Sequence, residues 1–243
     1  MRGYRASTPA IAFVVIMASA MFAATAQASA RVASRPTHSA TVSKSAPLHF
    51  HVVLIGTSVT YVAANQIRQA IPGIKLDTKN GRGWANAPSG GGTNLMQAFM
   101  ADRAWVHTGD WIIVDTSLGG VPADDYATYM QQVIAKMPHG SCLAWVIPHV
   151  YFATQDDAHT AVTRSANEVL KAMIRTALAT YPCHAFVEWD ASVTTATTRT
   201  PGLTAAEVKD WQPLCYDGRH PTATGALVMA ARMRQAIAHP IRP

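Results

Sequence analysis

Two short stretches carry residues whose types and spacing could do chemistry. Gly56-Thr57-Ser58 follows an apolar, β-branched run and precedes a helical pattern. A serine there sits near a helix N-terminus, where outward-pointing N–H groups favour developing negative charge. Capping by Ser58 or Thr60 explains the same residues without chemistry. The second stretch is Asp217-Gly218-Arg219-His220-Pro221-Thr222, leading into the last helical segment. Asp and His three apart across a glycine turn can face the same side. Asp217 could then hold one imidazole nitrogen while the other faces a nucleophile, the orienting logic of a serine triad within one turn. A turn-forming Asp217 and a capping Thr222 are the plain alternative.

Other candidates carry less. His149 follows Pro148 after an apolar run and is a candidate for lining a substrate cleft, as is Arg219 beside His220. Arg82 reads by default as a solvated surface arginine. The remaining histidines show no metal-ligand spacing: His49 and His51 flank Phe50 on one face of a strand, and no further ligand pattern follows. Gly90-Gly91-Gly92 lacks the Gly-Lys-Ser/Thr ending of a phosphate loop. Neither a metal nor an organic cofactor is expected.

Positioning these residues requires a scaffold, and the chain alternates strand and helix. Leu48–Ile55, Ile74–Asp77, Trp111–Val114, Cys142–Ile147 and Ala185–Trp189 read as strands. Tyr61–Ile71, Thr93–Val106, Asp124–Met137, Asp157–Tyr181 and His220–His239 read as helices. Short apolar strands separated by helices make β-α-β units and a parallel sheet covered on both faces, a three-layer α/β/α domain. Ligands bind such sheets at the carboxyl ends of the strands. The candidate residues fall there or just before the last helix. Cys142 and Cys183 each stand at the start of a strand. If those strands are parallel neighbours, a bridge between them is geometrically possible. Cys215 is then a free thiol, a distant alternative nucleophile.

The 243 residues are 49% apolar and only 14% charged, which suits one globular domain and excludes a charged disordered chain. Of 20 bases, seven lie in residues 1–76, which hold none of the 14 acids. The basic balance therefore belongs to the N-terminus, and no basic stripe interleaved with aromatics points to nucleic acid. Arg2 and Arg5 precede an uncharged apolar run from Ala10 to Ala24, and Ala26-Gln27-Ala28 and Ala28-Ser29-Ala30 read as cleavage sites. Residues 1–30 are thus expected to be a secretory signal, with an uncleaved anchor as the alternative. Residues 31–47, rich in Ser, Thr, Ala and Pro, read as a flexible linker, and 48–243 as the folded domain. No stretch beyond the first 30 residues is long and apolar enough to span a bilayer. The expected location is secreted, periplasmic or envelope-bound.

Gly-Thr-Ser after a first strand, a glycine after the second, and a late Asp-x-x-His together resemble the SGNH (GDSL-type) hydrolases. The likeness is closest to SGNH domains related to those fused to membrane acyltransferases, and covers roughly residues 48–238 in element order. Lys79-Asn80-Gly81-Arg82-Gly83, Asn167 and Val187-Glu188-Trp189-Asp190 add to it. The resemblance implies a flavodoxin-like five-stranded parallel sheet, Ser58 as nucleophile, His220 as general base and Asp217 as its orienting acid. It also implies an oxyanion hole from the N–H groups of Ser58 and Gly81. The family's Gly-Asp-Ser is Gly-Thr-Ser here, and Gly119 stands where its third-block asparagine, a further oxyanion donor, should be. Thr57, Asn80 and Ser117 join His149 and Arg219 as candidates for lining the substrate cleft. The implied function is an exported serine esterase or acyl-transferring enzyme acting on a small ester or an acylated glycan. The altered blocks leave a non-catalytic relative that binds glycan or a protein partner as the alternative.

Overall fold

The computed structural model describes residues 48–88, 91–116, 123–149, 157–198 and 213–242. The expected signal (1–30) and linker (31–47), and the candidates Ser117 and Gly119, lie outside the described residues. The elements run β1 (Val52–Gly56), α1 (Ser58–Val62), α2 (Ala64–Ala70), β2 (Lys75–Thr78), α3 (Leu95–Asp102), β3 (Trp111–Val114), α4 (Ala123–Lys136), β4 (Cys142–Val146), α5 (Asp157–Leu178), β5 (His184–Val187), α6 (Trp189–Thr198) and α7 (Ala223–Ala238). All strand pairs are parallel, in the order β2-β1-β3-β4-β5. This is the doubly wound order, with its switch point between β1 and β3.

The strands are apolar throughout because both faces are covered. Alternate side chains serve two cores. Val52, Leu54, Trp111, Ile113, Ala144 and Val146 pack with Ile67 of α2, Val193 of α6 and Met229 and Met233 of α7. Their neighbours Val53, Ile55, Ile112, Val114, Leu143 and Trp145 pack with Phe99 of α3, Met130 of α4 and Ile174 of α5. Cys142 and Cys183, at the amino-terminal edge of β4 and β5, form a disulfide with Cα atoms 4.7 Å apart. Among the described residues no helix is long and apolar enough to cross a membrane.

Several expected boundaries differ, among them that of the last strand, which ends at Val187 so that Trp189 starts α6. The helix expected to begin at Tyr61 begins at Ser58 and breaks at Ala63. Its first turn is held by Asp115 at the far end of β3, an acceptor that a local window cannot see. The last helix begins at Ala223, so His220 lies in the turn before it. α6 was not expected: its Thr-rich sequence favours strand locally. Trp189 and Val193 are fully buried, and Ser192 Oγ donates to Glu188 O at 2.8 Å while accepting from Arg232 Nε of α7 at 3.0 Å.

Candidate active site

Ser58 opens α1 directly after β1. Gly56, the last residue of that strand, has no room for a side chain: a Cβ there would lie 2.0 Å from Thr60 Oγ1 and 3.3 Å from Asp115 Cβ. Asp115 is the organiser of this corner. Its Oδ2 accepts from Thr57 Oγ1 at 3.0 Å and Thr60 Oγ1 at 2.8 Å, and from the N–H groups of both residues at 3.3 Å. The carboxylate thus supplies, across the sheet, the cap that Thr57 at the N-cap position does not make with its own side chain. Thr57 is 2% exposed with its hydroxyl on Asp115. It therefore braces the turn, a correction to its expected place in the cleft wall.

His220 and Asp217 come from the opposite end of the chain. Gly218, at φ +77°, makes the reversal between them, a backbone state that L side chains rarely adopt. Asp217 Oδ1 accepts from the N–H groups of Arg219 at 3.0 Å and His220 at 2.7 Å, so it does form the turn. Its other oxygen lies 2.6 Å from His220 Nδ1. His220 Nε2 lies 2.8 Å from Ser58 Oγ. The two readings of the Asp-x-x-His stretch therefore coexist, since Thr222 also caps α7 by accepting from Gly225 N at 3.0 Å. Tyr216 stacks on the imidazole, with ring centroids 5.8 Å apart and planes 17° from parallel. Burial works to raise the pKa of Asp217. The N–H and imidazole of His220, and then the N–H of Arg219, outweigh it and hold the carboxyl below its usual value.

The chemistry open to this arrangement follows from the hydrogen bonds. With Nδ1–H donating to Asp217, Nε2 is an acceptor for the Ser58 hydroxyl proton. Ser58 is nearly buried, while His220 is one-fifth exposed at its side chain. Cys215 does not compete: it is 1% exposed, and burial, then the charge of Asp217, push its thiol far above the usual range.

Gly81 and Asn80 lie in the turn after β2, exposed, at the same sheet edge as Ser58. Lys79 N donates to Gly56 O at 3.2 Å, tying that turn to the end of β1. Arg82, expected to be solvated, is buried. Its guanidinium donates to Asp77 O at 2.7 Å, Asp77 Oδ1 at 2.6 Å and Thr93 O at 3.1 Å. It clamps the two ends of the glycine-rich stretch and is not free to meet substrate. Trp84 anchors the same stretch in the core, stacked on Tyr129 at 5.2 Å. His149 Nδ1 lies 2.9 Å from Asp190 Oδ1, and Lys171 Nζ donates to Asp190 Oδ2 at 2.8 Å. His149 and Arg219 line one narrow cavity of about 10 Å³ with Asp115, Thr116 and Trp189, room for about one water molecule. His149 Nε2 and Arg219 Nε are buried with no hydrogen-bond partner among the described residues.

Asp115 and Tyr216 escaped the sequence reading. Asp115 acts on residues more than fifty positions earlier, and nothing around Tyr216 in sequence marks it as a stacking partner.

No known family profile matches the chain, and no curated protein matches it. Solved structures do. The C-terminal catalytic domain of peptidoglycan O-acetyltransferase A from Streptococcus pneumoniae, bearing a methylsulfonyl adduct, is 15% identical at a TM-score of 0.58 over 78% of this chain and 93% of that one. A Slackia heliotrinireducens protein described as an SGNH hydrolase is 12% identical at 0.54 over 77% and 98%. An acetylxylan esterase from Geobacillus stearothermophilus is 14% identical at 0.50 over 79% and 96%. What these likenesses establish is the fold: the chain adopts the α/β architecture found in SGNH hydrolases.

Proposed function

We propose that the chain is an exported serine esterase or acyl-transferring enzyme of the SGNH type, acting on ester-linked acyl groups. One observation carries this reading: the unbroken hydrogen-bond relay from Ser58 Oγ through His220 to Asp217. In the proposed reaction Ser58 Oγ attacks the ester carbonyl carbon as its proton passes to His220 Nε2. Asp217 steadies the resulting imidazolium. The oxyanion is held by the N–H of Ser58, at the start of α1, and by that of Gly81. A pair of this kind contributes a few kcal/mol to the transition state. Collapse breaks the bond to the leaving oxygen, which takes the proton from His220. Water or a sugar hydroxyl then attacks the acyl carbon, giving its proton to His220; the bond from that carbon to Ser58 Oγ breaks, and Oγ takes the proton back from His220 Nε2.

Two of the similar structures are a peptidoglycan O-acetyltransferase domain and an acetylxylan esterase, which supports a short acyl group on carbohydrate as substrate. The leader-like first thirty residues supply the address, outside the cytoplasm. The test is turnover of p-nitrophenyl acetate by the purified protein and by Ser58→Ala and His220→Ala, with labelling by methanesulfonyl fluoride mapped by mass. Loss of turnover in both variants and a label on Ser58 are expected. Turnover unchanged in both would remove the triad. An unlabelled Ser58 in an inactive but glycan-binding protein would establish the non-catalytic alternative.

A further inference from the structure

The amino-terminal edge of the sheet gathers a second constellation, independent of the triad. His51 immediately precedes β1 and Asp110 immediately precedes β3. His107 lies at the start of the turn leading to Asp110. The Nδ1 atoms of His51 and His107 each stand 3.4 Å from the same oxygen, Asp110 Oδ2. One ligand atom from each of the three residues lies within 4.8 Å of the other two. Ligands bound tetrahedrally at 2.0–2.1 Å stand about 3.3 Å apart, which is close to both measured edges.

The carboxylate is oriented by the backbone of its own partners. Asp110 Oδ1 accepts from His51 N at 2.8 Å and Oδ2 from His107 N at 2.9 Å. The surrounding main chain is pinned as well. Trp111 N donates to His51 O at 2.9 Å, Asp110 N to His107 O at 3.1 Å, and Cys142 N to Asp110 O at 2.8 Å. Cys142 is the disulfide-linked residue, so this corner is braced on three strands. The Asp110 carboxylate is buried, whereas both imidazoles are more than three-quarters exposed. Two neutral imidazole nitrogens and one carboxylate oxygen, open on one side, suit a borderline divalent ion better than Mg²⁺ or Ca²⁺, which prefer all-oxygen shells.

We propose that His51, His107 and Asp110 bind one Zn²⁺-type divalent ion, with its fourth position open to solvent, as a staple joining the start of β1 to the turn before β3. It stands at the other end of β1 from Ser58, about 16 Å along a five-residue strand. It is therefore structural and separate from acyl chemistry. Sequence spacing hid it because 56 residues separate the two histidines.

Calorimetric titration of the untagged full chain with Zn²⁺ should give one ion per chain at micromolar concentrations. His51→Ala and His107→Ala should each weaken binding about tenfold or more. His239→Ala, an exposed histidine at the end of α7, should bind as the parent does. Zn²⁺ should raise the melting temperature of the parent and not of the two site variants. Both site variants remove exposed side chains, so their metal-free melting curves report whether the fold is intact. Absence of saturable binding, or equal binding by the parent and both site variants, overturns the proposal. None of these readouts depends on esterase activity.

Discussion

Asp217 does two jobs with two oxygens, and a single substitution separates them. In Asp217→Asn the side-chain oxygen still accepts the N–H groups of Arg219 and His220, so the turn survives. The amide cannot accept Nδ1–H in the same way as the carboxylate, and the favoured tautomer of His220 is lost. The expected result is a kcat on p-nitrophenyl acetate reduced by about 10²–10⁴ with the melting temperature nearly unchanged. Asp190 bears on stability. Burial works to raise its pKa, but the hydrogen bonds and charges of His149 and Lys171 outweigh it, leaving it below the ordinary 3.8. A carboxylate whose folded pKa lies below its unfolded one adds stability at pH values above the unfolded pKa. That stability is lost as pH falls through the folded pKa. The urea midpoint should therefore drop from about pH 5 downward, and Asp190→Asn should flatten that dependence while lowering the midpoint at neutral pH.

At the scale of elements, the position of Ser58, the proposed nucleophile, depends on a helix of only five residues, too short to be stable alone. Its order comes from β3, through the four donors converging on Asp115. Asp115→Ala would orphan the buried Thr57 hydroxyl, leave Thr60 Oγ1 only its 3.3 Å bond to Thr57 O, and uncap the first turn. A loss of about 2–4 kcal/mol is expected by denaturant titration. A kcat at least about tenfold lower is also expected where the variant remains folded. This dependence explains what was readable beforehand and what was not. Trp111–Val114 was legible residue for residue because a run this short, apolar throughout and rich in β-branched residues, is too brief for a helix and suits a strand buried on both faces. The β-α-β alternation and the placement of Ser58 just after the first strand were legible from the same kind of apolar run. Asp115 was not, since its partners, Thr57 and Thr60, lie in the turn into α1, more than fifty positions earlier. Nor was the burial of Arg82, because only folding brings Asp77 and Thr93 around one guanidinium. α6 was missed because Trp189 and Val193 earn their helix from packing against the sheet and α7, against local propensity.

For the molecule as a whole, the disulfide and the proposed triad sit at opposite ends of the strands. The Cys142–Cys183 bridge closes a loop across 41 positions. Chain-entropy arguments put its contribution at about 3–4 kcal/mol. Cys183→Ser should lower the denaturant midpoint accordingly and leave the rate on p-nitrophenyl acetate close to the parent's at low temperature. Loss of activity in the cold variant would show that the bridge strains or supports the carboxyl edge directly. The Ser58–His220 contact spans 162 positions, and that separation has a temporal meaning. The hydroxyl emerges from the ribosome early and can do nothing by itself. Its proposed proton acceptor is made 162 positions later. Under the proposed mechanism a chain whose synthesis stops short of His220 is therefore inert toward esters, and hydrolytic competence becomes a certificate that both ends of the sheet's connecting path have been made.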